Sequence, residues 1–465
     1  MKKNFIFSKS VMAVSMLLVA SMSLAQTSNS TYFLEGFNQR YQLNPAFAPE
    51  RRVFVAIPGI SNINIDAQSS VGLGNFLFQS ASNPEMLTTF MSSDVDSKAF
   101  LDNLPDAASF NVGVNMDILS LGVGSKRGFT MFNVKLRNNE QVNIPKNLFA
   151  FMKAGLSPGS YLIEDMNVRS VSYIEWTLAH SHKITENLTV GMGLKFIQGL
   201  AYADVVFESI EADLSDDIWK VRTDGTLMAS IPGTALKYNS EDKTIEGLED
   251  FSFKMPHSYG FAVDLGAEYD MKDIVEGLEL SASVTDLGLI GWKNLSKYST
   301  VRNAAVDFDG FNGIDVTGDN NDVFDGVTDQ FKEMIKLDET SSSASEQVML
   351  DATFRIGAEY TTPFAKWLSF CELLTIKTGL WPYTESRTSI CMKPCSWFDV
   401  VGNYAASTYG SSMGLVANLH PSGLNFFIAV DRLTAELNPQ YIPINDFGLN
   451  FSVGLNLAFG EKRNK

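Results

Sequence analysis

The chain has 465 residues, a formal net charge of −17 and three cysteines. That acidic balance speaks against a nucleic-acid partner, and so few cysteines exclude a small scaffold held together by disulfides. Hydrophobic residues make up 45% of the chain, with 34 glycines and 33 phenylalanines, which leaves two or three soluble domains or one large barrel.

In chain order, residues 1–25 read as a secretory signal peptide. Lys2, Lys3 and Lys9 form a basic start, Val11–Ala20 an apolar core, and Ser23-Leu24-Ala25 a small-residue cleavage site before Gln26. The apolar core is short for a helical span of ~20 residues. No cysteine follows the cleavage site to carry a lipid anchor, and no later apolar run reaches the ~18 residues of a transmembrane helix.

Residues 26–50 form an N-terminal plug or lead-in. The stretch QRYQLNPAFAP, 39–49, carries two prolines, which forbid continuous ladder pairing. Tyr41 and Phe47 offer apolar surface for packing inside a barrel end, and Tyr41, Asn44, Pro45 and Phe47 are the candidate plug residues. A disordered lead-in would not carry such aromatics.

From residue 51 to 460 the pattern is that of strands. In the last stretch Phe447, Leu449, Phe451, Val453, Leu455, Leu457 and Phe459 alternate with Gly448, Asn450, Ser452, Gly454, Asn456 and Ala458, one apolar face and one small or polar face. The same alternation recurs at 188–196, 259–269 and 352–360. Such runs exceed the ~5–6 residues of soluble strands and match the ~9–11 needed to cross a bilayer obliquely. Strands are expected near 52–66, 108–119, 128–144, 168–181, 187–200, 256–270, 277–288, 349–361, 367–380, 384–392, 396–407, 411–420, 423–432 and 446–459. The fold class is therefore an all-β transmembrane antiparallel barrel of about fourteen strands, twelve or sixteen being the alternatives, with 461–465 a periplasmic tail. The long connections 67–107, 145–167, 201–255 and 289–348 fall on one side, the outside if both termini are periplasmic.

Charge is concentrated in two of these connections. Residues 204–250 hold twelve acidic and four basic side chains, and 307–346 hold eleven and two. A solvated acidic surface explains them; docking of a basic protein or calcium bridging to an anionic leaflet is the sharper reading. DVTGDNNDVFDG, 315–326, lacks the alternating acids, central glycine and final glutamate of a calcium loop. Val327, Phe331, Met334 and Ile335 then fall on one helical face.

Chemical motifs are weak. GVGSK, 122–126, lacks phosphate-loop spacing. His180 and His182 share a strand face without a third metal ligand, so no metal or cofactor is expected. GSSMG, 410–414, matches a hydrolase elbow but lies in a hairpin between strands, not between strand and helix; no enzyme activity is expected. Of Cys371, Cys391 and Cys395, a hairpin staple between Cys391 and Cys395 is the first candidate, with Cys371–Cys391 and Cys371–Cys395 the alternatives. The inward positions include Asn111, Asn115, Asp117, Glu175, Lys195, Asp264, Glu268, Glu279, Arg355, Glu359, Lys377 and Asp431. Mixed charges of this kind favour a cross-linked, occluded lumen over an ion channel of one sign.

The mature start YFLEGFNQRYQLNPAFAP, the hairpin YIEWTLAHSHKITENLTVGMGLKFIQG, the segment VTDLGLIGW and the ending FSVGLNLAFGEKR together resemble an uncharacterised outer-membrane family of Bacteroidota, a domain of unknown function related to PorP/SprF-like barrels and to FadL-type fourteen-strand barrels. The family's start resembles Leu43–Phe47 here, and its middle motif resembles Asp286-Leu287-Gly288 with Trp292. The resemblance implies outer-membrane localisation in a Gram-negative bacterium, a lumen plugged by the N-terminal segment, and a hydrophobic small-molecule ligand passing sideways through the wall. Its PorP/SprF side implies the alternative: a structural or secretion-accessory scaffold with protein partners at the acidic outer loops or the periplasmic face. Outer-membrane lipid is the common partner of both.

Overall fold

The computed structural model describes residues 28–462 except 81–86, 155–158, 215–218, 242, 251, 253, 255, 302–303, 307–335, 380–381 and 434–446. The signal-peptide segment, the DVTGDNNDVFDG stretch and the amphipathic segment after it lie outside the described residues.

The strands are β1 Arg51–Ala56, β2 Ile63–Ser69, β3 Leu77–Gln79, β4 Leu87–Thr89, β5 Ala107–Gly124, β6 Gly128–Pro145, β7 Gly159–Lys183, β8 Leu188–Leu214, β9 Trp219–Ser230, β10 Leu236–Asn239, β11 Thr244–Leu248, β12 Ser258–Asp270, β13 Leu278–Thr300, β14 Ala304–Val306, β15 Leu337–Met349, β16 Thr353–Thr361, β17 Leu368–Lys377, β18 Tyr383–Cys395, β19 Phe398–Ser407, β20 Gly410–Leu419, β21 Asn425–Leu433 and β22 Phe447–Lys462. Two short helices, α1 Ser97–Asp102 and α2 Lys146–Ala154, sit in the long connections.

Fourteen of the wall's positions close into an antiparallel barrel: β1 with β2, then β5, β6, β7, β8, β12, β13, β16, β17, β18, β19, β20, β21 and β22, which returns to β1 and β2. Closure pairs every edge, which is how a β-structure satisfies its backbone in a bilayer. The alternation explains the two faces. On β16, Phe354, Ile356 and Tyr360 point outward and are exposed, while Thr353, Arg355 and Glu359 point inward and are buried. On β12, Phe261 and Leu265 face out while Ala262 and Asp264 face in. No described helix is long and apolar enough to cross a membrane.

Two expectations need correction. The first strand, read as one run over 52–66, is two pieces. Ala56 pairs with Asn456 and Ile63 with Val453, so six residues of one strand stand opposite two of the other. Pro58-Gly59 breaks the ladder: proline lacks the donor, and Gly59 turns the chain with φ +77°. The connections 201–255 and 289–348 are also not plain loops. β8 continues to Leu214 and pairs with β9, and β13 continues to Thr300 and pairs with β15. The apolar outward row ends where the chain leaves the apolar band, but a hydrogen-bonded ladder in water needs no such row. Alternation of hydrophobicity therefore marks only the lower part of these strands.

At the same end, the connection between β2 and β5 folds as a small cap. Asp96 accepts from the Ala99 N–H at 2.8 Å and starts α1. Phe90 stacks on Phe100 at 4.6 Å, and Phe149 of α2 joins them. The opposite end has only short turns, as between β5 and β6 or between β7 and β8.

Candidate functional site

The N-terminal segment lies inside the barrel, Gly36 near the short-turn end and Ser28–Ser30 further up the wall at Glu385 and Asp431. Tyr32, Leu34, Phe37, Tyr41, Leu43 and Phe47 are all buried. They pack on the wall and on one another: Phe37 meets Phe427 of β21 edge-on at 4.5 Å, and Tyr32 meets Phe47 within the segment at 4.9 Å. At the rim, the Gly36 carbonyl accepts from Asn425 Nδ2 at 3.0 Å. Burial raises the Tyr41 phenol above its ordinary range, and nearby Asp117 adds to the effect, so it stays neutral.

Asn44 is the hub of the contact. Its Nδ2 donates to Tyr32 Oη at 3.2 Å and to the carbonyls of Ala267 and Ala282 at 3.3 Å each, and its Oδ1 accepts from the Ala46 N–H at 3.0 Å. Ser283 Oγ donates to the Leu43 carbonyl at 2.8 Å. The wall makes room with two glycines. A Cβ on Gly266 would stand 2.0 Å from Asn44 Oδ1, and one on Gly191 would stand 2.1 Å from the Pro45 carbonyl. Only a residue without a side chain permits that approach.

Two charged layers hold the wall around the segment. In one, Lys195 Nζ reaches Asp286 at 2.6 Å, Asp264 at 2.9 Å and Glu175 at 3.5 Å. Arg137 reaches Asp286 at 2.8 Å and Glu175 at 3.0 Å. Asp286 has φ 63°, at a bulge where Val263 pairs with Leu287 but Leu265 with Val284. The bulge turns Thr285 and Asp286 both inward, and the Asp286 N–H donates to Asp264 Oδ1 at 2.8 Å. Lys135 Nζ donates to Gln42 Oε1 at 2.7 Å, and Gln42 Nε2 donates to Asp117 at 2.9 Å, tying this layer to the segment.

In the other layer Arg387 pairs with Glu385 at 3.0 Å and Asp431 at 3.4 Å, and Arg432 with Glu385 at 3.2 Å. The segment's start docks here. Ser28 Oγ donates to Asp431 at 2.7 Å, Ser30 Oγ donates to the same carboxylate, and Asn29 Nδ2 donates to Glu385 at 3.1 Å. Arg355 Nε donates to Asn29 Oδ1 at 3.3 Å. Beside the first layer is a cavity of about 110 Å³ lined by Tyr41, Gln42, Arg137, Lys195, Asp286 and Arg355 among others. It is small and charged.

The structure brings Tyr41, Asn44, Pro45 and Phe47 together on the inner wall. It buries Glu175, Lys195, Asp264, Arg355 and Glu359 in the lumen, while Glu268 sits lower, 3.5 Å from Arg40. Arg137, Glu385, Arg387 and Ser28–Ser30 were not singled out from the sequence, and Asp286 was named only within the Asp286-Leu287-Gly288 motif, not as an inward residue. Glu385 and Arg387 stood in a legible alternating row, but the bulge that turns Asp286 inward has no periodic signature.

Cys391 and Cys395 both lie on β18, with an irregularity in its ladder between Met392 and Cys395, and all three cysteines are free thiols. The Sγ atoms of Cys371 and Cys391, on adjacent strands, lie 3.3 Å apart beneath Tyr32 and Leu34. His180 and His182 face outward, ring centres 5.9 Å apart, and no group of metal-ligating side chains exists among the described residues.

Residues 45–431 match the family model described as "Family of unknown function (DUF5723)". The chain belongs to the DUF5723 family. No curated protein matches this DUF5723 chain. Among solved structures it is similar to the Pseudomonas putida toluene transporter TodX, at 9% identity over 94% of this chain and 95% of that one, TM-score 0.40. It is similar to the Ralstonia pickettii toluene transporter TbuX, at 9% identity over 90% and 94%, TM-score 0.41. A Pseudomonas aeruginosa FadL homologue gives 11% identity over 95% and 96%, TM-score 0.41.

Proposed function

We propose that this protein is an outer-membrane barrel that passes a hydrophobic small molecule sideways through its wall, gated by the N-terminal plug. The observation that carries this reading is the interrupted wall strand. Between β1 and β2 the ladder is interrupted, and Pro58 and Ile60, the latter at 47%, are exposed. The break touches the plug, where Gln39 Nε2 donates to the Ser61 carbonyl at 3.0 Å. Plug and wall break are thus mechanically joined, and withdrawal of the plug would open a path from the lumen that ends in the bilayer. In this reading the long connections face outward and the short turns face the periplasm.

The test is uptake of phenylnaphthylamine into liposomes holding the mature protein. Deleting Ile57–Ile60 leaves two residues opposite two and restores a continuous ladder. Uptake should fall to the protein-free background while heat-modifiable gel mobility is kept. Unchanged uptake by that variant would overturn the lateral path.

The filled lumen favours a second reading, a PorP/SprF-like scaffold that binds other proteins. A cleft of about 500 Å³ at the short-turn rim, bordered by Arg40, Glu50, Lys126, Arg127 and Glu186, would be its periplasmic docking face. A stoichiometric protein partner in preparations from native membrane, with no uptake activity, would select it.

A further inference from the structure

We propose that the outward face of β17 and β18 is an intramembrane interface with a second copy of this chain. Glu372 is the fifth of the ten residues of β17, at mid-height of the wall, and its side chain is exposed on the outer surface. Along the same outward row Phe370, Leu374 and Ile376 are exposed on either side of it, so the carboxylate sits inside the apolar band and not at its edge. The next strand carries Ser386 and Thr388 outward; Ser386 Oγ donates to Glu372 Oε1 at 2.5 Å and Thr388 Oγ1 to Oε2 at 2.7 Å. The neighbouring outward rows are apolar, with Phe354 and Ile356 on β16 and Met413 and Leu415 on β20.

A carboxylate in contact with lipid tails at that depth is costly, and such residues generally face protein. Its two hydroxyl partners satisfy one lone pair on each oxygen and leave the others open. The polar strip of Glu372, Ser386 and Thr388 is bordered by apolar rows, so the same strip on a second copy covers it and takes both carboxylates out of contact with lipid. A second copy related by a twofold axis along the bilayer normal presents the same groups at the same depth, Glu372 of each facing the hydroxyls of the other. Gly402, on the next strand, would meet nothing within 4 Å if it carried a Cβ, which leaves that flank flat for close approach. The inference does not depend on transport or on the plug.

The experiment is native mass spectrometry of the mature protein in lipid nanodiscs, with Thr388→Cys cross-linking in a Cys395→Ser background. A dimer is expected, linked through position 388. Glu372→Leu combined with Thr388→Leu should weaken dimerisation by about tenfold or more, with heat-modifiable mobility retained as the check on folding. A wild type that stays monomeric at all concentrations, or a dimer indifferent to the double variant, would overturn the proposal. So would a cross-link at position 388 to a different protein.

Discussion

Asn44 ties two parts of the N-terminal segment to two wall strands with one amide. Asn44→Ala removes those bonds and leaves two wall carbonyls without this donor, at about 1 kcal/mol per net bond, or roughly 2–3 kcal/mol in all. The expected result is a looser segment in an intact barrel: limited trypsin treatment cuts after Arg40, buried in the wild type, many times faster in the variant. Lys195 is a different case, because three carboxylates converge on it. Lys195→Met leaves buried negative charge uncompensated, at about 3–5 kcal/mol, and the denaturant midpoint of the whole barrel should fall. For the cysteines, the expected outcome after export is a Cys371–Cys391 link with Cys395 as the free thiol. Alkylation and peptide mapping without reductant should label Cys395 alone; label on Cys371 would refute the pairing.

Elements were legible to different degrees. The strands from β16 to β22 were read within a few residues because they are about as long as the bilayer crossing, so the apolar row spans them end to end. β8 and β13 were read short because their upper halves carry no continuous outward apolar row: on β8 the apolar residues there, Tyr202, Ile210 and Ala212, are buried, and a bulge between Phe207 and Ser209 breaks the alternation. The break between β1 and β2 was missed although Pro58-Gly59 is a turn signal, since the alternation resumes on both sides of it. For the site, Asn44-Pro45 was visible as punctuation in an aromatic stretch. Its receptors, Gly191 and Gly266, were not: a glycine that admits another backbone looks the same in sequence as one that merely fills an inward position.

For the whole molecule, a closed ladder with charged cross-links inside predicts strong resistance to detergent. Unheated protein in sodium dodecyl sulfate should migrate apart from boiled protein, and the unheated band should persist well above room temperature; identical mobilities would contradict a closed barrel. The bond between Ser28 and Asp431 joins residues 403 positions apart, and Asn29 reaches Glu385 across 356. Those partners stand on β18 and β21, among the last strands to be made. Contacts of such separation carry a large loop-closure cost and form late. The N-terminal segment therefore has no docking site until the last strands have closed the wall. Order of assembly runs opposite to order of synthesis, and for that interval the aromatic N-terminal segment keeps its apolar surface unburied and open to non-native contacts.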